Sequence, residues 1–224
     1  LLVRGTGDLA RLPAVVGGRA TPQDQASQAV VDILAPRPGE RVVDLAAAPG
    51  GKAGAIGERT DGLVAALDAN RNRLRLVCEA ADRLGLSGLI AVHGDGRRPP
   101  FRAGAFDRVL VDAPCSGLGV LRRRPDARWR VQAESVAPLA DLQRELLGAG
   151  AALVRTGGVV VYSVCTLTSE ETLEIDAWAT AELGHLVALP PPGPPWRPWG
   201  RGALLLPHVC GTDGMFVLAL RAAR

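Results

Sequence analysis

The chain has 224 residues, 47% of them hydrophobic, enough for one large packed domain. Its formal charge is only +3, and all but one of its 26 cationic residues are arginine, the exception being Lys52. GC-rich coding alone accounts for that bias, so charge is a weak argument for nucleic acid. Four scattered cysteines without a CxxC pair, three histidines without ligand spacing and no apolar run near the ~20 residues of a membrane span disfavour a disulfide framework, a metal site and a membrane protein. The reducing cytoplasm is the expected compartment.

Residues 1–24 are punctuated by Gly and Pro without a period and read as a linker; the start at Leu1 rather than Met suits a piece of something longer. Residues 25–34 predict a short helix stopped by Pro36 and Pro38. A regular alternation follows: a strand over 41–47, a Gly-rich turn, a helix over about 52–59, and a strand over 62–67. The next helix, over 71–84, has Leu74, Val77, Ala81 and Leu84 on one face. Apolar runs at 89–93, 107–111 and 158–164 predict further strands. A helix over about 136–154 carries Leu139, Leu142, Leu146, Ala149 and Leu153 at helical spacing. Another starts near Ser169, where Ser169-Glu-Glu-Thr172 supplies a cap and early negative charge. Residues 190–198 read as a Pro-rich surface linker, and 215–220 as a last strand that no helix precedes, hence antiparallel. Strands alternating with helices predict an α/β protein with a doubly wound, mostly parallel sheet.

Cys115, in Asp112-Ala-Pro-Cys-Ser-Gly117, and Cys165, in Tyr162-Ser-Val-Cys-Thr166, each lie at or just past the end of such a strand. Ligands of open parallel sheets bind at strand carboxyl ends, so two thiols at one edge suggest covalent catalysis on an electrophilic ring. The first turn, Asp44-Leu-Ala-Ala-Ala-Pro-Gly-Gly-Lys52, uses Gly50 and Gly51 to let a ligand approach the backbone at a helix amino end. It is neither GxGxxG nor GxxxxGK[ST], which disfavours a dinucleotide or a P-loop. Asp68 ends the second strand, where a carboxylate can accept both ribose hydroxyls, and Asp95 closes the third, placed to meet an adenine edge. Each of Asp44, Asp68 and Asp95 alone reads best as a polar strand end. Together, beside a double-Gly turn, they favour a nucleoside without phosphates, and S-adenosylmethionine is such a ligand.

These residues resemble the Sun/Fmu-type RNA cytosine-5 methyltransferases, in their bacterial ribosomal RNA branch. The likeness runs from Thr21-Pro-Gln-Asp-Gln-Ala-Ser27 to Leu206-Pro-His and Gly211-Thr-Asp-Gly214. It is most specific in the first turn, in Asp112-Ala-Pro-Cys-Ser-Gly-Leu-Gly119, in Arg122-Arg-Arg-Pro-Asp126 with Trp129, and in Val161-Tyr-Ser-Val-Cys165. It departs at Ala46, where the family often has Cys, and at Val164, where the hydroxyl before the nucleophile is lost.

The resemblance implies a seven-stranded sheet of the class I S-adenosylmethionine-dependent methyltransferase type with an antiparallel last strand. It implies a catalytic domain over 25–224, with 1–24 a linker or the remnant of an amino-terminal RNA-binding region. S-adenosylmethionine would be held by Ala46, Ala47, Ala48, Pro49, Gly50, Gly51, Lys52, Asp68, Arg73, Asp95 and Asp112. Cys165 would attack carbon 6 of a cytosine and Cys115 would serve the release step, with Asp112 and Lys52 beside them. RNA, ribosomal by default, would meet Arg122, Arg123, Arg124 and Trp129 on a monomer.

Other readings stay open on residues alone. DNA cytosine-5 methyltransferases attack with the cysteine of a Pro-Cys motif, which would exchange the two thiol roles. A catalytically idle RNA-binding ribosome-assembly factor and a cysteine hydrolase with a partnered His are further alternatives. The Arg run could be a solvated loop rather than a phosphate contact, and Trp129 suits packing over that loop as well as stacking on a base. Cys78, on an apolar helix face, and Cys210, in a terminal turn, read as buried hydrophobes. An ordinary thiol is only a few per cent ionised at neutral pH, so the site must activate Cys165, and burial would favour a raised pKa at Asp112.

Overall fold

Strands that are apolar at nearly every position must be covered on both faces, and the chain meets that demand with helices on each side of one sheet. The computed structural model describes residues 7–223; residues 1–6, the start of the expected linker, and Arg224 lie outside the described residues. The strands are β1 (Val42–Asp44), β2 (Val64–Asp68), β3 (Leu89–His93), β4 (Phe106–Asp112), β5 (Val154–Val164), β6 (Leu186–Ala188), β7 (Arg197–Trp199), β8 (Gly202–Leu205) and β9 (Met215–Ala222). Their order is β3-β2-β1-β4-β5-β9-β8-β7, with β6 also paired to β9. The pairs among β1 to β5 are parallel, and those of β9 with β5, β6 and β8 are antiparallel.

The helices are α1 (Pro13–Val16), α2 (Gln25–Leu34), α3 (Gly51–Gly57), α4 (Arg71–Leu84), α5 (Ala127–Arg130), α6 (Val136–Leu153), α7 (Leu173–Glu182) and α8 (Pro207–Cys210). Side chains alternate across the pleat, so Val43, Val109, Val111 and Val160 pack with α6 and α7, while Val42, Leu110, Val159 and Val161 pack with α2, α3 and α4. The described part of 1–24 is tied to α4: Arg83 donates to the Val15 and Ala20 carbonyls at 2.8 and 3.0 Å and to the Thr21 hydroxyl at 3.0 Å.

The expected α/β architecture is present, with nine strands among the described residues rather than seven, the short β6, β7 and β8 adding to the six that the apolar runs predict. Part of the expected Pro-rich linker is therefore β7. Pro198 is tolerated there because an edge strand needs fewer ladder donors. The helix expected from Ser169 begins at Leu173. Cys78 is exposed, not buried: one position past Val77 turns it about 100° away from the stripe of Leu74, Val77 and Ala81. Of the predicted α6 face, Leu146 and Leu153 are buried while Leu139, Leu142 and Ala149 are half-buried, and the rest of the buried face runs through Val136, Ala140, Gln143, Leu147 and Gly150.

Candidate active site

Adjacent parallel strands with matched ends bring their following loops together. Asp112 pairs in register with Ser163, so β4 and β5 end side by side, and Cys115 and Cys165 follow them by three residues and one residue. The two sulfurs are 3.4 Å apart. Both line a cleft of about 1080 Å³ whose wall also includes Ala46, Ala48, Pro49, Asp68, Asp95 and Asp112. The thiols and the first turn thus face one space.

The first turn is built by backbone geometry. Gly50 caps α3 at φ +104°, and a Cβ there would lie 3.1 Å from the Val77 Cα, so only glycine allows α3 to sit this close to α4. The Ala48 amide donates to Asp68 at 3.0 Å and the Asn70 amide donates to its other oxygen at 2.7 Å. The Arg73 guanidinium donates to the Ala48 carbonyl and lines the cleft. Asp68 and Arg73 therefore shape the turn as well as facing the cleft. Ala47, Gly50, Gly51 and Lys52 stand behind its wall rather than on it. Asp95 lines the rim, but Arg97 holds its carboxylate with Nε 3.0 Å from each oxygen. The apolar side of the cleft comes from Leu142 and Leu146 of α6, which explains why that helix carries the half-buried Leu142 beside its buried face. The residues fit a nucleoside: an open, half-apolar cleft, no phosphate cradle, and carboxylates at two strand ends.

Three charged groups lie under the thiols. Lys52 donates to Asp112 at 2.6 Å and the Ser163 hydroxyl donates to the other Asp112 oxygen at 2.7 Å. Burial alone would lower the Lys52 ammonium, but Asp112 and Asp44 outweigh it and the net shift is upward. The carboxyl that burial pushes up is Asp44, to about 7, with the charge of Asp112 adding to the effect. At the sulfurs, the hydrogen bond from Cys115 holds the Cys165 thiol below its ordinary value against burial and Asp112, with Lys52 assisting. The same bond, together with burial, pushes Cys115 well above it. Cys165, which also faces Lys52, is thus the stronger candidate for a thiolate, with Cys115 the better placed of the two to keep the shared proton.

The arginine loop is more committed than its sequence suggests. Arg122 donates to Asp24 at 3.0 Å, and Arg123 makes a two-pronged pair with Asp213, which is 2% exposed. Asp24 also caps α2 through the Ala26 amide at 2.9 Å and accepts from the Asp213 amide at 3.2 Å. The 21–27 and 211–214 motifs therefore meet at this loop. Arg124 faces the cleft and, among the described residues, makes no ion pair. Trp129 is 77% exposed with the Arg128 guanidinium over its ring, so it does not pack over the loop.

Two polar residues at the site carried no signal that periodicity could use. Glu171, expected in a helix cap, is fully buried behind Ser116, and Gln143 occupies a core position of an otherwise apolar helix. Among the described residues no cluster of three or more His, Cys, Asp or Glu is arranged to hold a metal ion, and no helix is long and apolar enough to cross a membrane.

Comparison with known proteins bears on this geometry. The family described as 16S rRNA methyltransferase RsmB/F matches residues 31–221. The chain is 40% identical to the probable ribosomal RNA small subunit methyltransferase B of Bacillus subtilis, over 91% of this chain and 48% of that protein. It is 38% identical to ribosomal RNA small subunit methyltransferase B of Vibrio cholerae, over 95% of this chain and 48% of that one. The crystal structure of NSun6 from Pyrococcus horikoshii with SFG superposes at a TM-score of 0.84 and 30% identity, covering 96% of this chain and 56% of that one. The chain spans about half the length of the curated relatives it matches.

Proposed function

Because the chain belongs to the 16S rRNA methyltransferase RsmB/F family, we propose that it methylates carbon 5 of a cytosine in small-subunit ribosomal RNA, through a covalent adduct on Cys165. The observation that carries this reading is the 3.4 Å separation of two sulfurs inside the cleft that the first turn also walls. S-adenosylmethionine is the cofactor, and it supplies the electrophilic methyl group. Carbon 5 of cytosine is a poor nucleophile until a thiolate adds to carbon 6 and turns the ring into an enamine. Cys165 forms that sulfur–carbon bond. Its thiolate is favoured by the proton of Cys115 and by Lys52 nearby.

Forming the bond also changes Cys115. Once Cys165 is a thioether, the nearer of the two anions that raise Cys115 is gone, so Cys115 can lose its proton to water in the open cleft. When carbon 5 carries the methyl group that the cofactor's sulfonium would give up, the Cys115 thiolate takes the proton from carbon 5, and elimination breaks the bond to Cys165 and frees the ring. Asp112, fixed by Lys52 and Ser163, presents a carboxylate edge to the base, and Arg124 with Trp129 offers a phosphate contact and a stacking surface. Residues 25–224 act as the catalytic domain, in the cytoplasm where ribosomal RNA is assembled.

The test is transfer of labelled methyl groups to small-subunit RNA and to DNA, with a parallel trap on RNA carrying 5-fluorocytosine. RNA should be labelled and DNA not. Cys165→Ala should form no adduct on the 5-fluorocytosine RNA, and Cys115→Ala should accumulate one on ordinary cytosine RNA, where the parent releases its product. Adducts that persist only in Cys165→Ala would reverse the two roles.

A further inference from the structure

Glu171 is 0% exposed, and among the described residues no Lys, Arg or His lies within ion-pair distance of it. Four donors satisfy it instead. One oxygen accepts from the Ser116 amide and the Gln143 amide, both at 2.9 Å; the other accepts from the Ser116 hydroxyl at 2.5 Å and the Thr168 hydroxyl at 2.9 Å. The two amides can only donate, and each hydroxyl has a proton free for the other oxygen, so all four contacts suit a carboxylate. A buried anion without a cation is costly, and an apolar side chain would fill the space at less cost. Its partners show what the anion does.

Cys115 is bracketed by the network. Gln143 donates to the carbonyl of Pro114, the residue before it, at 2.9 Å, and Glu171 holds the amide and hydroxyl of Ser116, the residue after it. The Ser116 oxygen also accepts from the Thr166 hydroxyl at 2.8 Å, and Thr166 directly follows Cys165. Tyr162 of β5 closes the network, its hydroxyl 2.9 Å from the Gln143 carbonyl oxygen and 2.8 Å from the Glu171 carbonyl. One carboxylate therefore ties together the two loops that carry the sulfurs.

We propose that Glu171 is a positioning residue for the sulfur pair: through Ser116 and Thr166 it fixes Cys115 against Cys165, and its charge keeps the proton on Cys115 so that Cys165 is the nucleophile. The proposal rests on Cys165 as the attacking thiol. Fixed loops alone would set the distance but not the choice between two equal sulfurs. A negative charge on the Cys115 side breaks the symmetry, because a second anion at Cys115 would be repelled while one at Cys165 faces Lys52.

The test alkylates the full chain with iodoacetamide across pH 5–9, without RNA, and reads Cys115 and Cys165 separately by peptide mass spectrometry. In the parent chain Cys165 reacts first and its profile lies at lower pH. In Glu171→Gln the ratio of Cys165 to Cys115 alkylation at pH 7 should fall about tenfold, as expected when thiol ionisation moves by about one pH unit. Glu171→Asp keeps the charge and should recover part of the ratio. Ser116→Ala removes the bridge between the loops and one donor of the carboxylate while keeping its charge, and covers the case in which Glu171→Gln does not fold. It should lower the ratio in the same direction, by about threefold. An unchanged ratio in folded Glu171→Gln, or in Ser116→Ala, would reduce Glu171 to a packing element. The ratio is measured without methyl transfer, so failure of the proposed reaction and failure of the positioning role give separate results.

Discussion

Lys52 and Asp112 meet beneath the cleft with Nζ 2.6 Å from Oδ2, although 60 residues separate them in the chain. With Asp44 beside them they form a cluster of two carboxylates around one ammonium, all in a poorly solvated place. The lysine orients Asp112 under the sulfurs. Lysine suits this place in a chain that uses arginine everywhere else: a compact point charge on a slim stem projects from the first turn of α3 onto one oxygen of Asp112, without the bulk of a planar guanidinium. Lys52→Met should leave two carboxylates facing each other and cost about 2–4 kcal/mol of stability. Urea unfolding should show Lys52→Met combined with Asp112→Asn recovering part of that loss. Equal losses in the single and double variants would show that the pair is not coupled.

The bond from Cys115 is the largest influence holding the Cys165 thiol down. A lowered value means the thiolate survives to lower pH than in a free cysteine, so the acid limb of Cys165 reactivity lies below the ordinary thiol range. Cys115→Ala removes that bond and should move the limb upward. Alkylation at pH 7 then slows, by about tenfold if the limb moves by about one pH unit. With 5-fluorocytosine RNA the same variant should therefore form its adduct more slowly, while on ordinary cytosine RNA, whose carbon 5 carries the proton that Cys115 removes, its adduct should persist longer than the parent's. An adduct that forms at the parental rate would show that Cys115 does not activate its neighbour.

The sheet and the place of the thiols were legible in the sequence because both depend on local periodicity. A run such as Val159-Val-Val161 can be little else than a buried parallel strand, and Cys115 and Cys165 follow strand ends by simple counting. That the two ends are neighbours depends on strand order, which hydropathy does not encode. The same limit hid Glu171 and Gln143: their partners lie 55 and 28 residues from Glu171 in sequence, so a capping glutamate and a stray polar residue were the natural local readings. Arg122 and Arg123 looked like free cations because their acids, Asp24 and Asp213, lie about ninety residues or more away in either direction.

Asp44 gives a pH prediction with a definite sign. Its folded value is raised to about 7 from 3.8, so between these values the folded state holds a proton that the unfolded chain has released. Its contribution is therefore lost as pH rises from about 4 to 7, and is flat above that. Asp44→Asn removes this dependence. The stability of the variant relative to the parent should rise across that window, by at most roughly 4 kcal/mol, and level off near neutrality. Denaturant midpoints at pH 5, 6, 7 and 8 test it; a constant difference would mean that Asp44 does not titrate in this range.

Gly119 joins the two motifs that flank the thiols. Its amide donates to the Cys165 carbonyl at 2.9 Å, its carbonyl accepts from the Gly214 amide at 2.8 Å, and a Cβ would stand only 2.8 Å from the Cys165 carbonyl oxygen. Both neighbours are backbone, so nothing flexible can yield. Gly119→Ala should push the loop off β5, cost about 1–3 kcal/mol, and lower Cys165 alkylation along with stability. Gly117→Ala is the contrast. Its strain comes from φ +70°, with only the Val120 Cγ2 within 4 Å of a Cβ, so it should cost stability with a smaller effect on Cys165. Comparable effects on the thiol would remove the distinction.

Arg124 and Arg123 should part company when RNA binding is measured against salt. A cation that neutralises a phosphate releases a counterion, so removing it reduces the slope of log affinity against log salt by about 0.7–1. Arg124 faces the cleft and has no carboxylate among the described residues, so Arg124→Ala should show this reduction with parental stability. Arg123 already neutralises Asp213, and its loss leaves a buried acid without its guanidinium. Arg123→Ala should therefore lose about 1–3 kcal/mol of stability, with a smaller change in salt slope. Asp213→Asn separates the two effects, because it frees Arg123 for RNA while leaving no unpaired acid behind. It should steepen the slope if the arginine can reach a phosphate. If Arg123→Ala lowers the slope as much as Arg124→Ala and leaves stability intact, the ion pair is a passive contact and all three arginines of the loop face the nucleic acid.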